Sequence, residues 1–178
     1  KDDSSLYVRR SVANNLGDLA KDDVERVVDL LREWAVDASH ERSWLIRHAL
    51  RAPLKAGHPG ALSLMGFGPV EGLSVELRSP AEVRIGESLS IDASITSESS
   101  VQAEVMVDLV VHYKKAKGHS PKVFKWTKAV LEGNEPLALQ KKLSMKVTTI
   151  RKLYPGTHRL ALRINGADHG SAEFELVE

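Results

Sequence analysis

The sequence predicts an α + β multidomain protein in which HEAT-like α-solenoid repeats are followed by an immunoglobulin-like β-sandwich. Two observations lead to this prediction. A helical segment recurs 38 residues further along the chain, and the apolar spacing changes from three and four residues to two near residue 70. We therefore expect helical repeats over residues 1–66, a linker over 67–72 that is rich in glycine and proline, and a sandwich over 73–178.

The helical repeat consists of residues 7–20 and 45–58. Four positions carry the match: Val8 with Ile46, Arg9 with Arg47, Val12 with Leu50, and Leu16 with Leu54. Self-similarity near 40 residues is typical of HEAT-like solenoids, whose units bury their apolar faces by stacking on at least two others. The chain contains barely two units and begins at Lys1. We therefore expect it to be the C-terminal part of a longer solenoid protein.

A second helix is predicted between the two copies, because one apolar stripe recurs at three- and four-residue spacing. The stripe consists of Val24, Val27, Val28, Leu31, Trp34 and Ala35. Asp22 and Asp23 stand where a cap and a first-turn carboxylate belong. Ser43 is the expected cap of the next helix, Pro53 is expected to kink it, and residues 57–60 are expected to end it.

Beyond residue 72 apolar and polar residues alternate, as they do in half-buried strands. Alternating sets fall at 91–95, 103–111, 137–147, 158–164 and 174–176, and turn signals separate about seven strands. One turn signal covers residues 97–100, and Asn165-Gly166 predicts a tight hairpin. The immunoglobulin-like prediction rests on strand number and spacing, because the chain has no cysteine pair.

Charge is distributed unevenly within the predicted sandwich. Residues 73–108 hold two arginines and seven acids, whereas residues 109–167 hold thirteen lysines and arginines and two acids. Such an asymmetry indicates a side that faces a polyanion. The alternative is a set of solvated lysines that point outward from their strands.

Several classes of function lack their signature in this sequence. It has no glycine-rich phosphate loop, no serine elbow, and no cysteine for a thiolate nucleophile or a metal. Its seven histidines are scattered. We therefore expect neither a metal site nor a cofactor. Since no apolar run approaches 18 residues, we expect a soluble, cytosolic protein without a membrane partner.

A candidate surface lies on the repeated helices. Trp44, Arg47, Arg51 and Lys55 share one helical face, and the earlier copy presents a comparable stripe at Arg10, Asn14 and Asp18. Arg9 and Arg47 would lie side by side on the concave wall of a solenoid, where arginines suit phosphate oxygens. Two alternatives remain open. Arg9 and Asp18 occupy the places of an inter-repeat ion-pair ladder, and Trp44 could pack in the core.

A second basic segment covers residues 114–128, with two aromatic side chains among its lysines. It contains Lys114, Lys115, Lys117, Lys122, Lys125 and Lys128. Lysines with interleaved aromatic residues are typical of contact with a nucleic-acid backbone. We expect Phe124 and Trp126 to lie in the core.

These residues resemble the C-terminal half of AlkC-type DNA alkylation-repair glycosylases. The similarity covers nearly the whole chain. It runs through residues 7–16, through 46–51 with 57–59, and through Val123-Phe-Lys-Trp126 and Tyr154-Pro-Gly-Thr-His158. The resemblance implies removal of N3-alkylated bases such as 3-methyladenine from double-stranded DNA, in a bacterial cytosol or nucleoid, by a monomer.

The resemblance also implies roles for particular residues. An acid and aromatic rings would stabilise the sugar as it gains oxocarbenium character, and Asp18 and Trp44 are the candidates. The expected DNA-binding residues are Arg9, Arg10, Asn14, Arg47, His48, Arg51, Lys55, Lys114, Lys115, Lys117, Lys122 and Lys125.

We expect the full-length protein to be a glycosylase and the present chain alone to be inactive. Cleavage needs groups held rigidly against the deoxyribose, and two repeats would leave an uncovered apolar end. The alternative is a non-enzymatic protein-binding scaffold, because helical repeats and immunoglobulin-like domains serve that purpose widely.

Overall fold

The computed structural model describes residues 1–99, 102–149 and 152–178, which form two compact units, Lys1–Pro69 and Val70–Glu178. Of the described residues, 43% are in strands and 28% in helices. The predicted fold class, an α-solenoid followed by an immunoglobulin-like domain, is therefore wrong. The chain is mostly β, and its helices are short. The division into units falls within the predicted linker, whose bounds remain a prediction.

The first unit contains five helices in its described residues. They are α1 (Leu6–Leu19), α2 (Val24–Ala35), α3 (His40–Ala49), α4 (Arg51–Ala56) and α5 (Pro59–Leu64). Helix α3 packs against both α1 and α2, and α5 packs against α2. The apolar side chains buried there come from every helix: Ala13, Leu16, Val27, Val28, Leu31, Leu45, Ile46, Ala49, Leu54, Ala61 and Leu62.

The two sequence copies fold differently, which explains why the solenoid prediction is wrong. The first copy is one continuous helix, α1. The second is divided between α3 and α4 at Leu50, whose backbone leaves the helical region. Pro53 then lies in the first turn of α4, where its missing N–H costs little. The second copy therefore lacks the continuous helix that the repeat predicts, since its α4 has six residues and is ended by Gly57 at φ 82°.

The helix starts were predicted with mixed success. Of the two carboxylates predicted at the start of α2, Asp23 is the cap, since its side chain accepts a hydrogen bond of 3.0 Å from the Arg26 N–H. The acid in the first turn is Glu25 rather than a member of the predicted pair. The predicted cap at Ser43 is wrong. Helix α3 begins one turn earlier, and the Ser39 hydroxyl accepts from the Arg42 N–H at 3.2 Å. Both residue types satisfy an N–H that has no partner within the helix.

The second unit contains two sheets. Its strands are β1 (Leu73–Arg78), β2 (Glu82–Arg84), β3 (Ser88–Ser97), β4 (Ala103–Lys114), β5 (His119–Leu131), β6 (Leu137–Ser144), β7 (Gly156–Ile164) and β8 (Ala167–Val177). One sheet has the order β1-β3-β6 and the other β2-β8-β7-β4-β5. All pairs are antiparallel except β2 with β8. The predicted turn at 97–100 extends to Ser100, which lies outside the described residues.

The two sheets share one apolar core, because residues of both contribute to the same buried clusters. One cluster joins Leu89 and Ile91 of β3 to Leu109 of β4 and Phe174 of β8. A second cluster joins Ile95 of β3 to residues of β4, β5 and β7. The alternating sets at 91–95, 158–164 and 174–176 therefore predicted inward-facing residues correctly. Asn165 and Gly166, at φ 44° and 87°, form the predicted hairpin turn between β7 and β8.

A β-bulge divides strand β5 into two registers. Val107 lies opposite Thr127, whereas the next residue, Asp108, lies opposite Lys125, so Trp126 is the extra residue. Phe124 and Trp126 are partly buried and pack against the core, which confirms their predicted placement.

Gly156 opens β7 at a position that needs glycine for two reasons. Its φ of +122° is strained for other residues, and an added Cβ would meet the Lys114 side chain, with Cδ only 2.7 Å away. The stem of Lys114 therefore lies directly over Gly156. Gly118 offers a comparison, because its φ is +69° and a Cβ added there would have nothing within 4 Å.

We predict that Gly156→Ala lowers the free energy of unfolding by about 1–3 kcal/mol, measured by urea denaturation. The control Gly118→Ala should lose about 1 kcal/mol, since it carries only the left-handed strain. Adding Lys114→Ala to Gly156→Ala should recover the part that comes from the clash. No recovery of stability in the double variant would contradict a costly contact with Lys114.

Candidate nucleic-acid interface

A polar cluster on the helical unit is centred on Asn14. The Asn14 Oδ1 lies 3.2 Å from His48 Nε2 and accepts a hydrogen bond of 3.1 Å from Arg51 Nη1. The Trp44 ring stacks on the His48 ring, with centroids 4.9 Å apart. Because Oδ1 can only accept, His48 carries its proton on Nε2. Helix packing thus joins residues from both sequence copies.

The charge of this cluster comes from its arginines. Partial burial lowers the pKa of His48, and the nearby charges of Arg51 and Arg10 lower it further, so the imidazole is neutral at pH 7. The cluster therefore presents guanidinium groups beside a neutral stacked pair of rings. Such a surface suits a phosphate group and an adjacent base or sugar.

Asp18 lies one turn beyond Asn14 on α1 and is exposed. It forms a 2.7 Å ion pair with Lys21, whose hydrogen bond and charge hold the pKa of Asp18 below its usual value. The charge of Arg51 acts in the same direction. Asp18 is therefore an ionised carboxylate beside the cluster, as the predicted electrostatic role requires.

The other predicted residues of the helices lie apart from these contacts. Arg9 donates through Nη1 to the carbonyl oxygens of Asp3 and Ser4, at 2.7 and 2.8 Å, rather than to Asp18. Arg47 and Lys55 are exposed. The ion-pair ladder was predicted between repeats; here Arg9 and Asp18 each bond to neighbours in their own segment.

The lysines of the 114–128 segment do not form one surface. Lys122 lies opposite Val111 on the core-facing side, whereas Lys125 lies opposite Asp108 on the other side and donates to Met106 Sδ at 3.3 Å. Lys114 lies over Gly156, and Lys117 is exposed in the turn. Strand alternation produces this division, because Lys122 and Lys125 lie three residues apart on the same side of the bulge.

A cavity of about 550 Å³ lies at one end of the sandwich. It is lined by Tyr113, Lys115, Ser120, Pro121, Lys122, Thr148, Lys152, Leu153 and Tyr154. Its lysines lie over aromatic rings: Lys115 is 6.0 Å from the Tyr113 centroid, Lys122 is 5.2 Å from that of Phe124, and Lys152 is 5.1 Å from that of Tyr154. None of the described residues that line it is acidic.

A buried histidine joins two walls of this cavity. His158 is fully buried; its Nδ1 accepts from the Lys114 N–H at 3.2 Å, and its Nε2 lies 3.0 Å from the Tyr154 carbonyl oxygen. Its ring stacks on Phe174 at 5.1 Å. Since the carbonyl can only accept, His158 is the neutral tautomer with the proton on Nε2. Burial lowers its pKa more than the Tyr154 hydrogen bond raises it.

Sequence reasoning did not select Lys152, Tyr154 or His158 as functional residues. Tyr154 and His158 belong to a motif of the family resemblance, and His158 begins an alternating set. These three residues come together because of the path that the chain takes between β6 and β7. Residue spacing does not predict that path.

The strand unit matches a known protein family. Residues 73–178 match the family described as "Uncharacterised protein YhaZ, C-terminal Ig-like domain". The chain belongs to this family. It is 34% identical over 177 residues to the uncharacterized protein YhaZ of Bacillus subtilis (strain 168), a match that covers 98% of the chain and 49% of that protein.

A solved structure is similar over almost the entire chain. This is Pseudomonas fluorescens alkylpurine DNA glycosylase AlkC bound to DNA containing an abasic site analog. The identity is 36% and the TM-score 0.91, over 99% of this chain and 50% of that one. The chain thus spans about half the length of the relatives that it matches. A β-glucosidase from Listeria innocua, at 18% identity and a TM-score of 0.52 over 64% of this chain and 17% of that one, shows a shared fold only.

Two further observations concern the described residues alone. They contain no group of three or more histidine, aspartate or glutamate side chains placed to hold a metal ion. None of their helices has the length and apolar character needed to cross a membrane.

We predict that the imidazole of His158 stays neutral, with its proton on Nε2, as the pH falls below about 6.5, the pKa of an unfolded histidine. The unfolded chain then binds a proton that the folded chain does not, so the free energy of unfolding falls by up to about 1.4 kcal/mol per pH unit for this group. Imidazole ¹⁵N NMR reports the tautomer, and urea denaturation between pH 7.5 and 5.5 reports the slope.

His158→Gln should give a shallower slope than the wild type, by about one proton. His48 and His112, whose pKa values are also lowered by burial, serve as internal references that remain in both proteins. An Nδ1–H resonance for His158, or an unchanged slope in the variant, would contradict the assigned hydrogen bonds.

Proposed function

We propose that this chain is the DNA-binding C-terminal part of a DNA glycosylase that excises N3-alkylated bases such as 3-methyladenine. The observation that supports this most strongly is the 36% identity, over 99% of the chain, to the DNA-bound alkylpurine glycosylase AlkC. The Asn14 cluster supplies matching chemistry, since it groups guanidinium groups, stacked rings and a nearby carboxylate.

Each group has a proposed role. Arg10 and Arg51, with the exposed Arg47 and Lys55, hold phosphate oxygens on either side of the lesion. Asn14 fixes the direction of the Arg51 guanidinium through its 3.1 Å hydrogen bond. Trp44 and His48 form a planar wall against which a nucleotide can pack.

Asp18 has the proposed catalytic role. Loss of an alkylated base leaves the deoxyribose with oxocarbenium character, and an ionised carboxylate stabilises that positive charge. The pKa of Asp18 is lowered by Lys21, so the carboxylate stays ionised at neutral pH. Its exposure leaves it accessible to a DNA ligand.

The chain spans about half the length of its relatives. Catalysis by the whole protein is therefore also a proposal. Its ligand would be double-stranded alkylated DNA, bound by a monomer in the bacterial cytosol. The strand unit would assist through Lys115, Lys117, Lys122 and Lys125.

We predict that the chain binds duplex DNA weakly and without sequence preference. If six to ten phosphates are neutralised, the affinity should fall by about 10³–10⁵-fold between 50 and 200 mM salt, as measured by fluorescence anisotropy. Arg51→Gln should weaken binding and reduce the salt slope by about one contact. Arg26→Gln, an exposed arginine of α2, is the charge-matched control. A flat salt response, or equal losses at Arg51 and Arg26, would point to a scaffold rather than a DNA-binding protein.

A second prediction concerns catalysis in the full-length protein. Asp18→Asn should reduce release of 3-methyladenine by about 10²-fold at unchanged DNA affinity, because it removes one electrostatic stabiliser of the transition state. Asp29→Asn is the matched control, since Asp29 is also exposed and also pairs with a cation three residues away, Arg32. Normal excision by a folded Asp18→Asn protein would leave this residue a structural role only.

A further inference from the structure

The cavity at the end of the sandwich has the chemistry of an anion site. Lys115, Lys122 and Lys152 converge on it from the turn after β4, from β5 and from the chain before β7. Ser120 and Thr148 add hydroxyl donors to the lining. Since no acidic side chain occurs among the described lining residues, the charge of the lysines is not neutralised within the cavity.

The cavity walls are held in place by buried contacts. Tyr113 is 4% exposed and forms part of the core cluster below the cavity, together with Leu153. His158 joins the end of β4 to Tyr154 through its two hydrogen bonds. These contacts hold the site in place before a ligand binds. Binding therefore costs less conformational entropy.

The positive charge at this site exceeds what a single phosphodiester requires. A passing duplex backbone presents phosphodiesters of charge −1 each. A terminal phosphate carries about −1.5 to −2 at pH 7 and three acceptor oxygens. Three lysines around a volume of about 550 Å³ match such a group better than they match one diester.

We propose that this cavity binds a terminal phosphate group, carried by a nucleotide or by the phosphorylated end of a DNA strand. The lysines bind the phosphate oxygens, and the partly exposed Tyr154 ring packs against the adjacent sugar or base. The site belongs to the strand unit. It shares Lys115 and Lys122 with the proposed DNA contacts, but it requires neither the Asn14 cluster nor glycosylase activity.

The test uses thymidine 5′-monophosphate as the probe and thymidine as its uncharged counterpart, with the chain in low-salt buffer. Calorimetry should show binding of the monophosphate at least about tenfold tighter than that of thymidine. Backbone amide NMR signals of Thr148 and Tyr154 should shift with the monophosphate, and inorganic phosphate should compete. Equal affinities for monophosphate and nucleoside, or no binding of either, would overturn the proposal.

Two variants locate the site. Lys152→Gln should weaken binding of the monophosphate about three- to tenfold, whereas Lys142→Gln, which removes the same charge from an exposed position of β6 outside the cavity, should leave it unchanged. Similar losses of affinity in the two variants would indicate general charge attraction and would overturn the proposed site. Both lysines have substantial solvent access, so neither change should affect folding.

A third comparison identifies the source of the phosphate. A 5′-phosphorylated single-stranded hexamer that binds more tightly than its 5′-hydroxyl form and than the monophosphate would assign a DNA end. A monophosphate that binds as tightly as the phosphorylated hexamer would assign a free nucleotide. Arg51→Gln should leave unchanged the affinity for the monophosphate and the gain in affinity that the 5′-phosphate gives the hexamer. Loss of the proposed DNA contacts at the Asn14 cluster and loss of this site therefore give different results.

Discussion

The strand unit is organised by the burial of β4 on both of its faces. Val107 and Leu109 point into the core between the sheets, and Met106 and Val110 on the opposite face are also buried. A strand buried on both sides must find partners for every polar group that it carries. At its end the Lys114 N–H bonds to His158, a neutral side chain that can be buried without a counter-charge.

A charged side chain of β4 lies near an ion pair on the outer side of the sheet. Asp168 of β8 pairs with Arg163 of the neighbouring strand β7 at 2.6 Å, and its hydrogen bond is the main cause that raises the pKa of Arg163. Asp108, which is 2% exposed, adds a smaller charge contribution in the same direction. The positive charge counted along residues 109–167 therefore exceeds the charge that is available to a ligand. Arg163 lies within that range, but it is already paired with Asp168, which lies just outside it.

Much of the sandwich could be predicted from the sequence, because alternating burial is a local property of a strand. Ile91, Ala93 and Ile95 face inward as their spacing indicates, and Asn165-Gly166 turns as its residue types require. On the helices, spacing placed Asn14 and Arg51 on polar faces, but their mutual contact depends on the packing of α1 against α3. The solenoid prediction was wrong because residue similarity gives no information on where a helix breaks, here at Leu50.

The bulge at Trp126 also limits where members of this family can gain or lose residues. On one side of the bulge Phe124 faces the core, and on the other side Thr127 does, three positions later rather than two or four. Loss or gain of a single residue between them would turn one half of β5 inside out, placing lysines against the core and apolar residues in water. The turn at Gly118 has no such restriction, since it is exposed and a Cβ added at Gly118 would have nothing within 4 Å. Related sequences should therefore differ in length at the tip of this hairpin while keeping the spacing between Phe124 and Thr127 fixed.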